Sequence, residues 1–299
     1  MKQVKKISLN NEKNRYLDLD TETIHSGKLK EPLGELTREN LEEFKDILEI
    51  SWKVLNCDGV EVLGSRKGFI VKEFWENLDY LYSTNFMVEN GQVVEKENFA
   101  IGKIDYWKQE IANGHLQVKS WGYIMLQLSK DIKDYKVTLF SAYNARFDRQ
   151  AIVDTSKLIP YKNFCKGLWD LDYLDIMLLV NIIARQKDFK KWADIHGAIS
   201  EKGNYQCKAE TIYRYIVNNS PEIQIAVPDS YNWSESHIAL EDIDCEGVIL
   251  QYCIALSRRK REIKVEVNKY GQWNVFNKEL KLANQKKPRQ TKKQLAMEL

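Results

Sequence analysis

Asp20 and Glu22 stand one residue apart at the end of the run Tyr16-Leu17-Asp18-Leu19-Asp20-Thr21-Glu22-Thr23. Its apolar start reads as a strand at the edge of a buried sheet. If the strand continues to Glu22, its period of two puts both carboxylates on one face. At ~4 Å two ionised carboxylates repel by on the order of a few kcal/mol at a surface-like dielectric. A protein answers by protonating one, by solvating both, or by placing a divalent cation between them. The third answer makes this a catalytic strand and requires more ligands elsewhere. Alone, the pair is more often a solvated strand end.

Two later stretches supply such groups. Val137-Thr138-Leu139-Phe140-Ser141-Ala142-Tyr143-Asn144 is a second apolar strand, running straight into a helix start at Ala145. Asp148 then falls in the first helical turn, at the carboxyl edge where α/β sheets collect ligands. A first-turn Asp also serves the helix dipole. Further on, Ser234-Glu235-Ser236-His237 leads into a long helix carrying Asp242 near its start. Its apolar stripe is Leu240, Ile243, Gly247, Leu250 and Ile254. Gly247 inside a helix costs stability and implies close packing on the sheet. His237 alone would be a cap or a surface residue.

The elements that must position these groups are legible in part. Ile47 to Leu55 reads as a strand, Asp58-Gly59 as a hairpin turn, and Val60-Glu61-Val62-Leu63 with Gly68 to Val71 as the return. Residues 26–47 and 186–236 look like insertions, the first with a short polar helix starting at Thr37-Arg38-Glu39-Asn40. Ile104 to Ala112 and Trp121 to Ile132 show helical spacing. In the second, Tyr123, Leu126, Leu128 and Ile132 form the stripe expected to cover the sheet. Gly167 to Asp172 is predicted as a short strand, Tyr173 to Ala184 as a buried helix and Ala209 to Val217 as another. Asn90-Gly91 marks a turn in a region, 75–100, that is otherwise hard to read.

Composition sets outer bounds. The chain has 299 residues, 43% apolar and 29% charged, ordinary for a globular protein with one large domain or two modest ones. No secretory signal and no membrane span is evident. Five scattered cysteines suggest neither a disulfide framework nor a zinc site, which fits a cytoplasmic protein. Charge is uneven. Residues 251–299 hold thirteen Lys and Arg against four acids, net +9, whereas residues 1–250 carry −7. A polyanion would be drawn to the C-terminal end. There Ile263 to Val267 and Gln272 to Phe276 read as a small hairpin.

Taken together, Asp20-Thr21-Glu22, Asn144-x-x-Phe147-Asp148 and His237-x-x-x-x-Asp242 resemble the three motifs of the DEDDh 3′→5′ exonucleases, DnaQ-like enzymes with an RNase H-like fold. The wording around Lys208 to Tyr215 and Glu235-Ser236-His237 is similar to phage-encoded members. The resemblance implies an α/β fold with a mixed central sheet of about five strands flanked by helices. It spans residues 1–256 with the two insertions, and leaves 257–299 as a basic extension. It also implies two Mg²⁺ ions, with Mn²⁺ as substitute. Asp20 would bridge them, Glu22 and Asp242 would complete one position, and Asp148 would serve the other. His237 would take the proton from the attacking water, a role suited to an imidazole pKa near ~6.5. Asn144 and Phe147 would hold Asp148, while Thr21 and Thr23 would contact substrate or support the acids. The implied partner is single-stranded or 3′-ended DNA, with RNA as the alternative substrate and a non-catalytic nucleic-acid-binding module as the alternative class. Ile24-His25-Ser26 departs from the family, which continues with Thr-Gly; His25 is read as a surface residue.

Overall fold

A computed structural model describes residues 6–31, 34–159, 166–200, 203–206, 208–220, 238–260, 264–267 and 273–276. His237 and most of the basic extension lie outside the described residues. The chain is α/β, built on a mixed sheet of six strands rather than five. These are β1 (Tyr16–Thr23), β2 (Ile47–Leu55), β3 (Lys67–Val71), β4 (Gln117–Lys119), β5 (Leu139–Ala142) and β6 (Asp172–Asp175). Their order is β6-β5-β1-β2-β3-β4. β1, β5 and β6 run parallel, β2 is antiparallel to both neighbours, and β4 adds parallel to the edge of β3.

Alternation along β1 sorts its side chains between two cores. Leu17 and Leu19 join Trp52, Phe140, Trp107 and Trp121 on one face. That face is covered by α1 (Ile104–Ala112), α2 (Trp121–Asp134) and α3 (Ala145–Leu158). Tyr16 joins Leu139, Leu55 and Ile249 on the other, beneath α4 (Ile176–Ala184), α5 (Lys187–Ile195), α6 (Ala209–Asn219) and α7 (Ala239–Lys260). Asp18, Asp20 and Glu22 share the parity of Tyr16, so they face the α7 side.

Several sequence expectations change here. Val60 to Leu63 is not strand: Gly59 and Gly64 at φ 76° and 79° turn the chain at both ends, and only Glu61 bridges back to Leu55. The stripe of α2 is Trp121, Ile124, Met125, Leu128 and Ile132. Tyr123 and Leu126 are exposed, because the contact arc is rotated toward the side on which Trp121 caps the core. Residues Lys166–Asp170 are helix. The place beside β5 is taken by Asp172–Asp175, leaving buried Leu168 to pack in the α2-side core. The polar helix predicted at Thr37 is a turn, since the chain must reverse to pair Leu41–Glu43 with Gly27–Leu29.

The predicted hairpin near the C-terminus is present as Lys264–Val267 and Trp273–Phe276. Lys264–Val267 also pairs with Lys6–Ser8 in a separate three-stranded sheet.

Candidate metal centre

One oxygen each of Asp20, Glu22 and Asp242 lie within 4.8 Å of one another. The first two come from the end of β1 and the third from the first turn of α7. β1 is held from both sides, and its ladder with β2 slips between Glu22 and Thr23. A bulge of this kind re-aims side chains at a strand end. A cavity of about 530 Å³ opens over the cluster, walled also by Thr21, Thr23, Tyr143, Asn144, Phe147, Asp148, Lys208 and Glu246.

Asp148 reaches the same cavity from α3. β5 pairs with β1 so that Ser141 lies beside Asp18; extending that register sets Asp20 level with Tyr143, where β5 has just ended. Asn144 then turns the chain in the left-handed region, φ 66° and ψ 48°, a conformation Asn tolerates better than most residues. Its backbone N–H donates to Asp175 Oδ1 at 3.0 Å, and Asp175 also caps α4 through Met177 N–H. Asn144 thus places Asp148 through its backbone, not through a side-chain cap. Thr21 donates its hydroxyl to Asp148 Oδ1 at 2.8 Å, while buried Asp148 Oδ2 has no hydrogen-bond partner. Phe147, half-buried at the cavity wall, carries the Lys45 ammonium 5.1 Å from its ring centroid.

Helix α7 is pinned by residues that carry no motif. Buried Glu49 accepts from Leu240 N–H at 2.8 Å and from Trp107 Nε1–H at 2.7 Å, fixing the first turn that bears Asp242. Asp244 accepts from Lys53 at 2.9 Å and from Arg66, tying the next turn to β2 and β3. A Cβ on Gly247 would stand 2.8 Å from Lys53 Nζ and 3.2 Å from Asp18 Oδ2. The glycine therefore lets α7 lie against the sheet, as its position in the sequence implied.

The electrostatics follow from crowding. Burial first, then neighbouring carboxylates, pushes Asp20 well above the usual range. Burial raises Asp148 and Asp242 to about 7. It raises Glu22 to about 8, against the opposing pull of Lys103, whose Nζ lies 2.7 Å from Glu22 Oε2. Such shifts mark carboxylates held in the absence of enough positive charge.

All these donors are oxygen, and one of them, Asp148 Oδ2, is buried without a hydrogen-bond partner, which suits a hard divalent cation. Asp20, Glu22, Asp148 and Asp242 therefore converge as the sequence expected. Thr21 and Phe147 touch Asp148 or the cavity, and Thr23 lines it.

His25 is not a surface residue. It is 2% exposed, with Nδ1 2.7 Å from Asp46 Oδ2 and Nε2 near Asn98 and Ser83. Its neighbours Asp46 and Asn98 lie 21 and 73 residues away, too far for local spacing to show.

Glu246, one helical turn beyond Asp242 on the same face, was not among the sequence candidates. A mid-helix Glu without a motif reads as a solvated residue, yet this one is 2% exposed.

No protein-family model matches the chain, and no curated protein matches it.

Proposed function

We propose that the chain is a metal-dependent 3′→5′ exonuclease acting on DNA, of the DEDDh type with an RNase H-like core. The observation that carries this reading is the meeting of Asp20, Glu22 and Asp242 within 4.8 Å, from points more than 200 residues apart. Asp148 lines the same cavity. The strand order is compatible with the fold: three antiparallel strands followed by two parallel ones beside β1.

Asp20, Glu22 and Asp242 would hold one divalent ion, and Asp20 with Asp148 would serve a second. When bound, such ions supply an activated water and neutralise charge on the leaving oxygen. In the reaction, water adds to the terminal phosphorus and the bond to the 3′ oxygen breaks, releasing a 5′-mononucleotide and leaving a 3′ hydroxyl once that oxygen takes a proton from solvent. The imidazole of His237 receives the water proton. Thr21 keeps Asp148 turned into the cavity, and Phe147 with Lys45 offers a ring and a cation to the terminal nucleotide.

The deciding experiment uses single strands of DNA and RNA labelled at either end, with wild type and Asp20→Ala, in Mg²⁺, Mn²⁺ or EDTA. RNA is included because a 2′-hydroxyl is discriminated by pocket shape. Laddering from the 3′ end that needs metal and vanishes in the variant supports the reading. Equal behaviour of the two proteins rejects it.

A further inference from the structure

The candidate centre contains one carboxylate more than the resemblance requires. Glu246 projects from α7 four residues after Asp242, so both side chains lie along one stripe of the helix. It lines the same cavity as Asp20, Asp148 and Asp242. One side of its carboxylate accepts a hydrogen bond from the Tyr143 backbone. The other oxygen, Oε2, is buried and has no hydrogen-bond partner.

Asp148 repeats this pattern. Its Oδ1 is taken by Thr21, while Oδ2 is buried and unpartnered. Both residues are at most 2% exposed. Two carboxylates, one from α3 and one from α7, thus each present one oriented and one unsatisfied oxygen to the same cavity. An ionised oxygen so placed is costly unless a cation or a proton meets it. Asp20 lines the same cavity as both of them, and Asp148 and Glu246 are first among the carboxylates that repel it.

We propose that Glu246 is a direct ligand in the second cation position, which it shares with Asp20 and Asp148, so that the whole centre is built from five carboxylates. The assignment rests on the exonuclease reading of the centre and deepens it. It makes the second position an all-protein site in which Asp148 and Glu246 each add one oxygen beside Asp20. Its consequence is that the second ion binds before any nucleic acid supplies phosphate oxygens.

The alternative is that a proton satisfies Glu246, and the two accounts separate cleanly. A glutamine has nearly the shape of a protonated glutamate, so a protonated Glu246 would be replaced without effect on metal.

The test is a Mn²⁺ titration of the full chain without nucleic acid, read by calorimetry and by electron paramagnetic resonance. Wild type is compared with Glu246→Gln, Glu246→Asp and Asp20→Asn. Wild type is expected to take two ions. Glu246→Gln keeps the tighter ion and loses at least about tenfold in affinity for the other; Glu246→Asp falls between. Circular dichroism establishes folding, and if the glutamine variant does not fold, the aspartate variant decides by the same criterion.

Unchanged affinity for both ions in Glu246→Gln overturns the assignment, as does a single ion on wild type that Asp20→Asn weakens. Either leaves the metal centre itself intact. No saturable binding by wild type, or none that Asp20→Asn alters, overturns the exonuclease reading together with this one.

Discussion

The Thr21 hydroxyl donates to Asp148 Oδ1 at 2.8 Å, joining a residue of β1 to one 127 positions later on α3. Thr21 has the opposite parity to Asp20 and Glu22, so the strand that presents two acids on one face uses its other face to aim a third. Thr21→Val keeps the shape and removes the donor. A buried hydrogen bond to a charged group contributes about 1.5–3 kcal/mol. We expect the metal-loaded protein to lose about tenfold in cleavage rate while Asp148→Asn loses far more. Equal rates for wild type and Thr21→Val would show that the backbone alone positions Asp148.

Acidity of the centre predicts how metal-free protein responds to pH. Glu22 is raised to about 8, and Asp148 and Asp242 to about 7. An acid raised on folding binds protons more tightly in the native state. Its stabilising contribution is complete below its unfolded value and is lost as pH rises through its folded one. In EDTA, the melting temperature should therefore fall between pH 5 and pH 8, and Mg²⁺ or Mn²⁺ at pH 8 should restore it. Melting that rises with pH in EDTA would contradict this balance of charge.

Lys103 contributes the opposite sign. Its Nζ pairs with Glu22 Oε2 at 2.7 Å, and both side chains are largely shielded from solvent. A unit charge ~5 Å from a bound ion contributes on the order of 1–3 kcal/mol at an effective dielectric of 20 or more. Lys103→Met should lower the melting temperature in EDTA at pH 8 and tighten Mn²⁺ binding by up to about tenfold. Weaker Mn²⁺ binding in that variant would mean that Lys103 mainly orients Glu22 for the metal.

Gly247→Ala sets two effects against each other. Alanine is about 1 kcal/mol better than glycine inside a helix, but the new methyl would approach Lys53 Nζ to 2.8 Å and Cε to 2.9 Å. Overpacking of a filled interior costs about 1–3 kcal/mol, and Lys53 is held in place by Asp244 at 2.9 Å. The steric effect should win, lowering the urea midpoint. A midpoint at or above wild type would show that Lys53 yields at little cost.

The parts of the centre legible in the sequence were those written in local order. Alternation through Tyr16 to Thr23 gave the strand and its acidic face, and Asn144 with Asp148 marked a strand running into a helix. Gly247 signalled close packing because nothing else explains a glycine amid an apolar stripe. What escaped was set by tertiary contact. Glu49 looks like any polar residue in a strand until Trp107 and Leu240 are seen to donate to it. Glu246 is distinguished only by what α7 lies against. The α2 stripe was misread because Tyr123 and Leu126 are as apolar as the residues that are buried, so hydropathy alone could not set the rotation of that helix.

The small sheet of Lys6–Ser8, Lys264–Val267 and Trp273–Phe276 gives the basic end a structural duty. Lys6 pairs with Glu266 and Ser8 with Lys264, so opening and closing segments of the polypeptide are stitched into one ladder. Trimming the chain after α7 would strip Lys6–Ser8 of its neighbour and leave an open β rim, a template for self-association. Clumping of such a shortened protein would then report a broken seam between the two ends, independently of any loss of contact with nucleic acid.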